Sequence, residues 1–193
     1  MRIHCLLATV PLLVLAACDD SVSVDDPSDP DQIADAADAL AKPQPGQYRQ
    51  TSELVEFSSP GASEEEQAMM DAMFRPGTKQ TSEFCLTPEQ AEEGYREFAS
   101  AFDEIPDDCE FAKFDIVSGT LDAAMQCDDG SGNVGNITFG GEVSETSSDM
   151  TMTIDLTSET EGRGARMVIR NTSERIGECT GEEDAGPMPT TDG

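Results

Sequence analysis

From Met150 to Thr157 apolar and polar residues strictly alternate: Met150, Met152, Ile154 and Leu156 against Thr151, Thr153, Asp155 and Thr157. A period of two belongs to a β-strand with one dry face and one wet face. The pattern recurs in Ile137, Phe139, Gly141 and Val143, and in Leu121, Ala123, Met125 and Cys127. It recurs again in Ala165, Met167 and Ile169, with Arg166 and Arg170 on the other face. Turn-forming residues separate these runs at Ser118-Gly119, Asp128 to Asn133, Glu145 to Asp149, Glu161 to Gly164 and Asn171 to Ser173. Short alternating strands divided by such turns predict an antiparallel meander. Earlier strands are expected at 47–57 and 78–85. The predicted fold is mainly β: a curved antiparallel meander, an open or partly closed barrel-like sheet.

Two short helices are expected before the main meander. Ser63-Glu64-Glu65-Glu66 has the form of a capping box, and Pro76-Gly77 ends the segment that follows it. Thr87-Pro88-Glu89 opens the second, with Thr87 as N-cap and Pro88 at the first helical position. It is expected to run to about Ala101. A third short helix is expected from Pro30 to Ala41, with Ile33, Ala37 and Leu40 on one side and Pro43 stopping it.

The chain begins with a single positive charge, Arg2, and an apolar run from Leu6 to Ala17. That is the form of a secretory signal peptide. The run is too short for a spanning helix, which needs about 20 apolar residues. Leu15-Ala16-Ala17-Cys18 resembles the bacterial lipoprotein lipobox. The resemblance implies a diacylglycerol on the Cys18 thiol, cleavage after Ala17 and acylation of the new amino terminus. Two acyl chains hold a protein stably on a membrane. Asp19 and Asp20 resemble the retention signal of enterobacterial lipoproteins, which favours the periplasmic face of the inner membrane over the outer membrane. The expected organisation is a signal peptide at 1–17 and a lipidated acidic tether at 18–45. A β domain follows at 46–180, and an acidic tail at 181–193.

The composition excludes several classes of function. After residue 17 all 40 acidic residues remain, while Arg2 is lost from the 11 basic ones, for a net charge of about −30. Such a charge repels nucleic acid and anionic headgroups. The one histidine, His4, lies in the signal peptide, so the mature chain has no imidazole for a Ser-His-Asp or Cys-His centre or for nearly all zinc hydrolase sites. There is no tryptophan, and the tyrosines are Tyr48 and Tyr95 alone, which is poor material for stacking bases or sugars. No catalytic residue, metal or cofactor is assigned.

Some constellations are read as structural. Asp128 to Asn133 resembles a calcium loop, but the twelfth position, Phe139 or Gly140, lacks the bidentate acid an EF-hand needs. A hairpin turn accounts for it. Met69, Met70, Met73, Met125, Met150, Met152 and Met167 offer thioethers for Cu(I), yet their spacing on helix and strand is that of core filler. Asp103, Glu104, Asp107 and Asp108 are read as a solvated loop. The sequons at Asn136 and Asn171 are read as turn and strand chemistry.

With these elements placed, residues 45–179 resemble the bacterial family called domain of unknown function 3617. The resemblance rests on Pro45-Gly46-Gln47-Tyr48, Cys85-Leu86-Thr87-Pro88-Glu89, Asp108-Cys109, Met125-Gln126-Cys127, Met150-Thr151-Met152-Thr153 and Arg175-Ile176-Gly177-Glu178-Cys179. It implies an exported protein and brings no activity. The Met-Pro-Gly repeats common early in the family are missing; the Glu-rich helix stands in their place.

Of six cysteines, Cys5 is removed with the signal peptide and Cys18 is lipidated. Cys85, Cys109, Cys127 and Cys179 then form two disulfides with three conceivable connectivities. The expected pairs are Cys85–Cys109, closing the helical insertion onto the sheet, and Cys127–Cys179, joining an inner strand to the last strand. The expected function is a lipid-anchored envelope protein that binds a small apolar ligand or another envelope protein without catalysis. The competing class is a hydrolase-like enzyme using carboxylates alone, or a weak metal binder. Two inward acids about 5–9 Å apart would mark the enzyme.

Overall fold

The computed structural model describes residues 21–27, 29–96, 108–158 and 162–180. The expected signal peptide, Cys18, the expected acidic loop from Asp103 to Asp107, positions 97–101 and the tail 181–193 lie outside the described residues. Among the described residues, eight strands and three helices follow in the order β1 (Ser21–Ser23), α1 (Pro30–Ala37), β2 (Gly46–Ser58), α2 (Glu64–Phe74), β3 (Lys79–Leu86), α3 (Pro88–Glu93), β4 (Cys109–Val117), β5 (Thr120–Asp128), β6 (Asn133–Val143), β7 (Ser147–Ser158) and β8 (Arg163–Gly177). They form one open antiparallel sheet in the order β1-β4-β5-β6-β7-β8-β2-β3. The meander β4 to β8 closes back on β2 by sequence-distant pairing, and the β2–β3 hairpin completes the far edge.

Each local device has a cause in the sequence. Ser63 and Glu66 cap α2 reciprocally, and Thr87 and Gln90 do the same for α3. Helix α3 stops at Gly94, whose φ of 62° suits a residue without a Cβ, so this helix is shorter than expected. Ser118 and Gly119 both have positive φ, 50° and 79°, the geometry of a two-residue hairpin turn. At Gly141 a Cβ would lie 2.1 Å from the Asp149 carbonyl oxygen, so only glycine lets β6 and β7 approach there.

Strand β4 was not among the expected strands. Its apolar residues Phe111, Phe114 and Ile116 break the period of two because a bulge lies between Phe111 and Lys113. All three are nonetheless buried on the inner face.

The segment expected as a tether is part of the folded unit. β1 pairs with β4, Ser21 opposite Val117 and Ser23 opposite Asp115. Asp29 caps α1, which lays Ile33, Ala36, Ala37 and then Leu40 onto Phe111, Phe114, Ile116, Leu121, Ala123, Met125 and Val143. Ile33 is 2% exposed and Leu40 5%. The acidic composition of this stretch belongs to the outer side of a docked helix, where Asp38 pairs with Arg96.

Candidate functional site

Cross-strand register divides the sheet into an inner and an outer face. On the inner face α1 seals β4, β5 and the end of β6. Beyond it the inner positions of β7, β8 and β2 continue in rows. Met152 stands opposite Ile169, and Ile169 opposite Leu54. Ile154 stands opposite Met167, and Met167 opposite Phe57. Met150, Asn171 and Ser52 make the next row. Met152, Ile154, Met167, Ile169 and Leu54 are only half-buried, whereas Phe57 is buried beneath Phe74 of α2, ring centroids 4.2 Å apart. These rows carry thioethers, branched alkyl groups and small polar groups.

The outer face carries the charge. Arg170 donates from Nε to Asp149 at 2.8 Å, and its second contact completes a fork on the same carboxylate. Lys79 pairs with Glu53 at 3.0 Å and Arg49 with Glu83 at 2.9 Å. Arg166 donates to both Asp155 oxygens, at 2.8 and 2.6 Å. A shallow recess of about 510 Å³ is lined by Glu53, Val55, Asp149, Thr151, Val168 and Arg170. The guanidinium of Arg170 holds the Asp149 carboxyl below its usual range. Asp38 is lowered in the same way by Arg96, and Glu66 by its hydrogen bonds with Ser63. A general acid at neutral pH needs the opposite shift.

The turn at 128–133 is the expected hairpin turn between β5 and β6. Asp129 accepts from the Ser131 backbone N–H at 2.8 Å and from Asn133 Nδ2 at 2.6 Å. These donors, Asn133 first, bring its carboxyl down to about 2. They occupy the oxygens that a cation would need.

The four cysteines form two disulfides, but not the expected ones. Cys85 is joined to Cys179, and Cys109 to Cys127. The pairing Cys85–Cys109 and Cys127–Cys179 is therefore corrected. Cys109 and Cys127 face each other across β4 and β5, with Cα atoms 3.9 Å apart. Asp128 N–H donates to the Asp108 carbonyl beside them at 2.8 Å, which makes the cysteines a non-hydrogen-bonded pair, the closer of the two antiparallel kinds. Cys85 of β3 and Cys179 beyond β8 bridge over the start of β2, since Gln47 pairs with both Cys85 and Gly177.

The methionines divide. Met125 is in the core and Met150 packs against it. Met69 and Met73, expected as filler, are 60% and 71% exposed on α2. Asn136 and Asn171 lie within paired strands β6 and β8. Asp108 is described just before β4.

Residues 43–179 match the family described as "Protein of unknown function (DUF3617)". The chain belongs to this DUF3617 family. No curated protein and no solved structure matches the chain. The DUF3617 match begins just after α1, so β1 and α1, which complete the core, lie outside the matched region.

Proposed function

We propose that this DUF3617 protein is a lipid-anchored protein of the bacterial envelope whose sheet binds an apolar ligand or an apolar segment of another envelope protein. Cys18 is the anchor, and the domain faces the periplasm from the inner membrane. The observation that carries the binding reading is the inner surface of β7, β8 and β2. There Met152, Ile154, Met167, Ile169 and Leu54 stand in register yet are only half-buried. Soft, adaptable thioethers beside branched alkyl groups suit a ligand of variable shape. The carboxylates support binding over catalysis. Asp149, Asp155, Glu53 and Glu83 are on the outer face in pairs with cations, not on the inner rows.

A neutral fluorescent naphthylamine tests the binding. Its emission should rise with the wild-type protein, and the rise should be lost in Met152→Gln and Ile169→Gln variants that keep the wild-type circular dichroism. Thr151→Val, on the outer face, should retain it. No rise with the wild type would sink the apolar-binding reading. The anchor is tested by detergent phase partitioning: wild type should enter the detergent phase and Cys18→Ser the aqueous phase. Equal aqueous partitioning would remove the anchor.

A further inference from the structure

We infer that the β1–β4 edge of the sheet rests against the headgroups of the bilayer that holds Cys18, and that α2 is carried to the membrane-distal corner. This rests on the anchor reading above and adds an orientation to it. Ser21 is already in the sheet, opposite Val117. From Cys18 to Ser21 is three residues, and the chain spans at most about 3.6 Å per residue, so the leash is no longer than about 11 Å. A free tether over 19–45 would have a contour of roughly 95 Å and would leave orientation open.

The register says which parts are near and which are far. Val117 runs into the Ser118-Gly119 turn, and Gly119 accepts from Val143 N–H at 2.8 Å. The 118–119 turn and the 144–146 turn therefore share the anchored end. Helix α2 joins the opposite ends of β2 and β3. Strand β4 alone separates the two ends by roughly 30 Å at about 3.3 Å per residue. β2 lies six strand spacings from β1, which is roughly 29 Å along the sheet at about 4.8 Å each. So α2, with its exposed Met69 and Met73, occupies the corner diagonally opposite the lipid.

The chemistry of the near edge sets its depth. Val22 and Val117 are 36% and 49% exposed there. Asp25, Asp26 and Asp115 stand beside them, and buried carboxylates would be costly in the acyl layer. The short leash therefore holds the edge at headgroup level, against the repulsion between these carboxylates and anionic headgroups.

The chain has no tryptophan, so a single introduced indole reports its own position. The acylated full chain carrying Val117→Trp or Met69→Trp is placed in phosphatidylethanolamine–phosphatidylglycerol vesicles with a nitroxide either on the headgroup or deep in the acyl chain. Val117→Trp emission should be largely lost with the headgroup label and kept with the deep one; Met69→Trp should keep its emission with both. Val22→Trp, on the β1 edge itself and 36% exposed, gives the same reading should Val117→Trp fail to fold. A Gly-Ser spacer of about 20 residues between Asp20 and Ser21 should restore the Val117→Trp emission. Equal emission from the near and far reporters in a vesicle-bound, acylated chain overturns the orientation and leaves the anchor standing. A chain without acyl mass on Cys18 overturns both.

Discussion

Ile33→Ala should destabilise the domain as a core substitution does, although residue 33 lies in a stretch whose composition reads as a tether. Ile33 is 2% exposed, in one cluster with Phe114, Ile116 and Leu121. Alanine lacks three of its carbons, and at about 0.8 kcal/mol per buried carbon the transfer loss alone is about 2.4 kcal/mol. The remaining void adds to this, because α1 is held at both ends, by the Asp29 cap and by the bridge from Asp38 to Arg96, and closes only partly over the gap. The expected total is about 3 kcal/mol. At a urea slope of about 2 kcal/mol per molar the midpoint should fall by about 1.5 M. Asp35→Ala, on the solvent side of the same helix with its side chain 82% exposed, should move the midpoint very little. Urea unfolding of the oxidised protein, followed by circular dichroism, measures both. An Ile33→Ala midpoint equal to the wild type would refute the docking of α1 and return residues 18–45 to a free tether.

Non-reducing peptide mapping should recover Cys85 with Cys179 and Cys109 with Cys127. Removing the first pair as a double serine variant should cost more than removing the second, since the loops closed are 94 and 18 residues long; chain-entropy estimates are about 4.7 and about 3 kcal/mol. Gly141→Ala should lose several kcal/mol by forcing β6 from β7, read as a lower midpoint in the same urea assay. Asp129 has a folded value lowered to about 2. Its contribution to stability is therefore complete above the ordinary carboxylate range near 4 and fades as pH falls towards 2. Carboxyl NMR should place its midpoint near 2, and Asn133→Ala should raise it.

Much of the sheet was legible because its strands obey one rule without interruption. Met150 to Thr157 alternates cleanly, and the capping box at Ser63 and the N-cap at Thr87 form as their sequences demand. β4 escaped because a bulge displaces its apolar set to Phe111, Phe114 and Ile116, and a strand with a shifted period does not announce itself. The pair Cys109–Cys127 depends on the same bulge. A regular hairpin around Ser118-Gly119 sets Val117 opposite Thr120 and would set Cys109 opposite Asp128; the one-residue bulge moves Cys127 into that place. The docked α1 was half legible. Ile33, Ala37 and Leu40 share a side by their spacing, but the surrounding Asp and Ala hide that this side has a partner. Cys85–Cys179 depends on β2 lying between β3 and β8, a long-range pairing that local spacing does not encode. The half-buried rows on β7, β8 and β2 were foreseeable as an apolar inner face. How far α1 covers that face was not, since this depends on the sheet order.

The most direct test of the proposed envelope anchor is the mass of the protein's amino-terminal peptide, taken from isolated membranes. The proposed anchor requires a chain that starts at Cys18 with diacylglycerol on the thiol and a third acyl chain on the amino group. A mature chain that begins elsewhere, or begins at Cys18 with a free thiol, would contradict it.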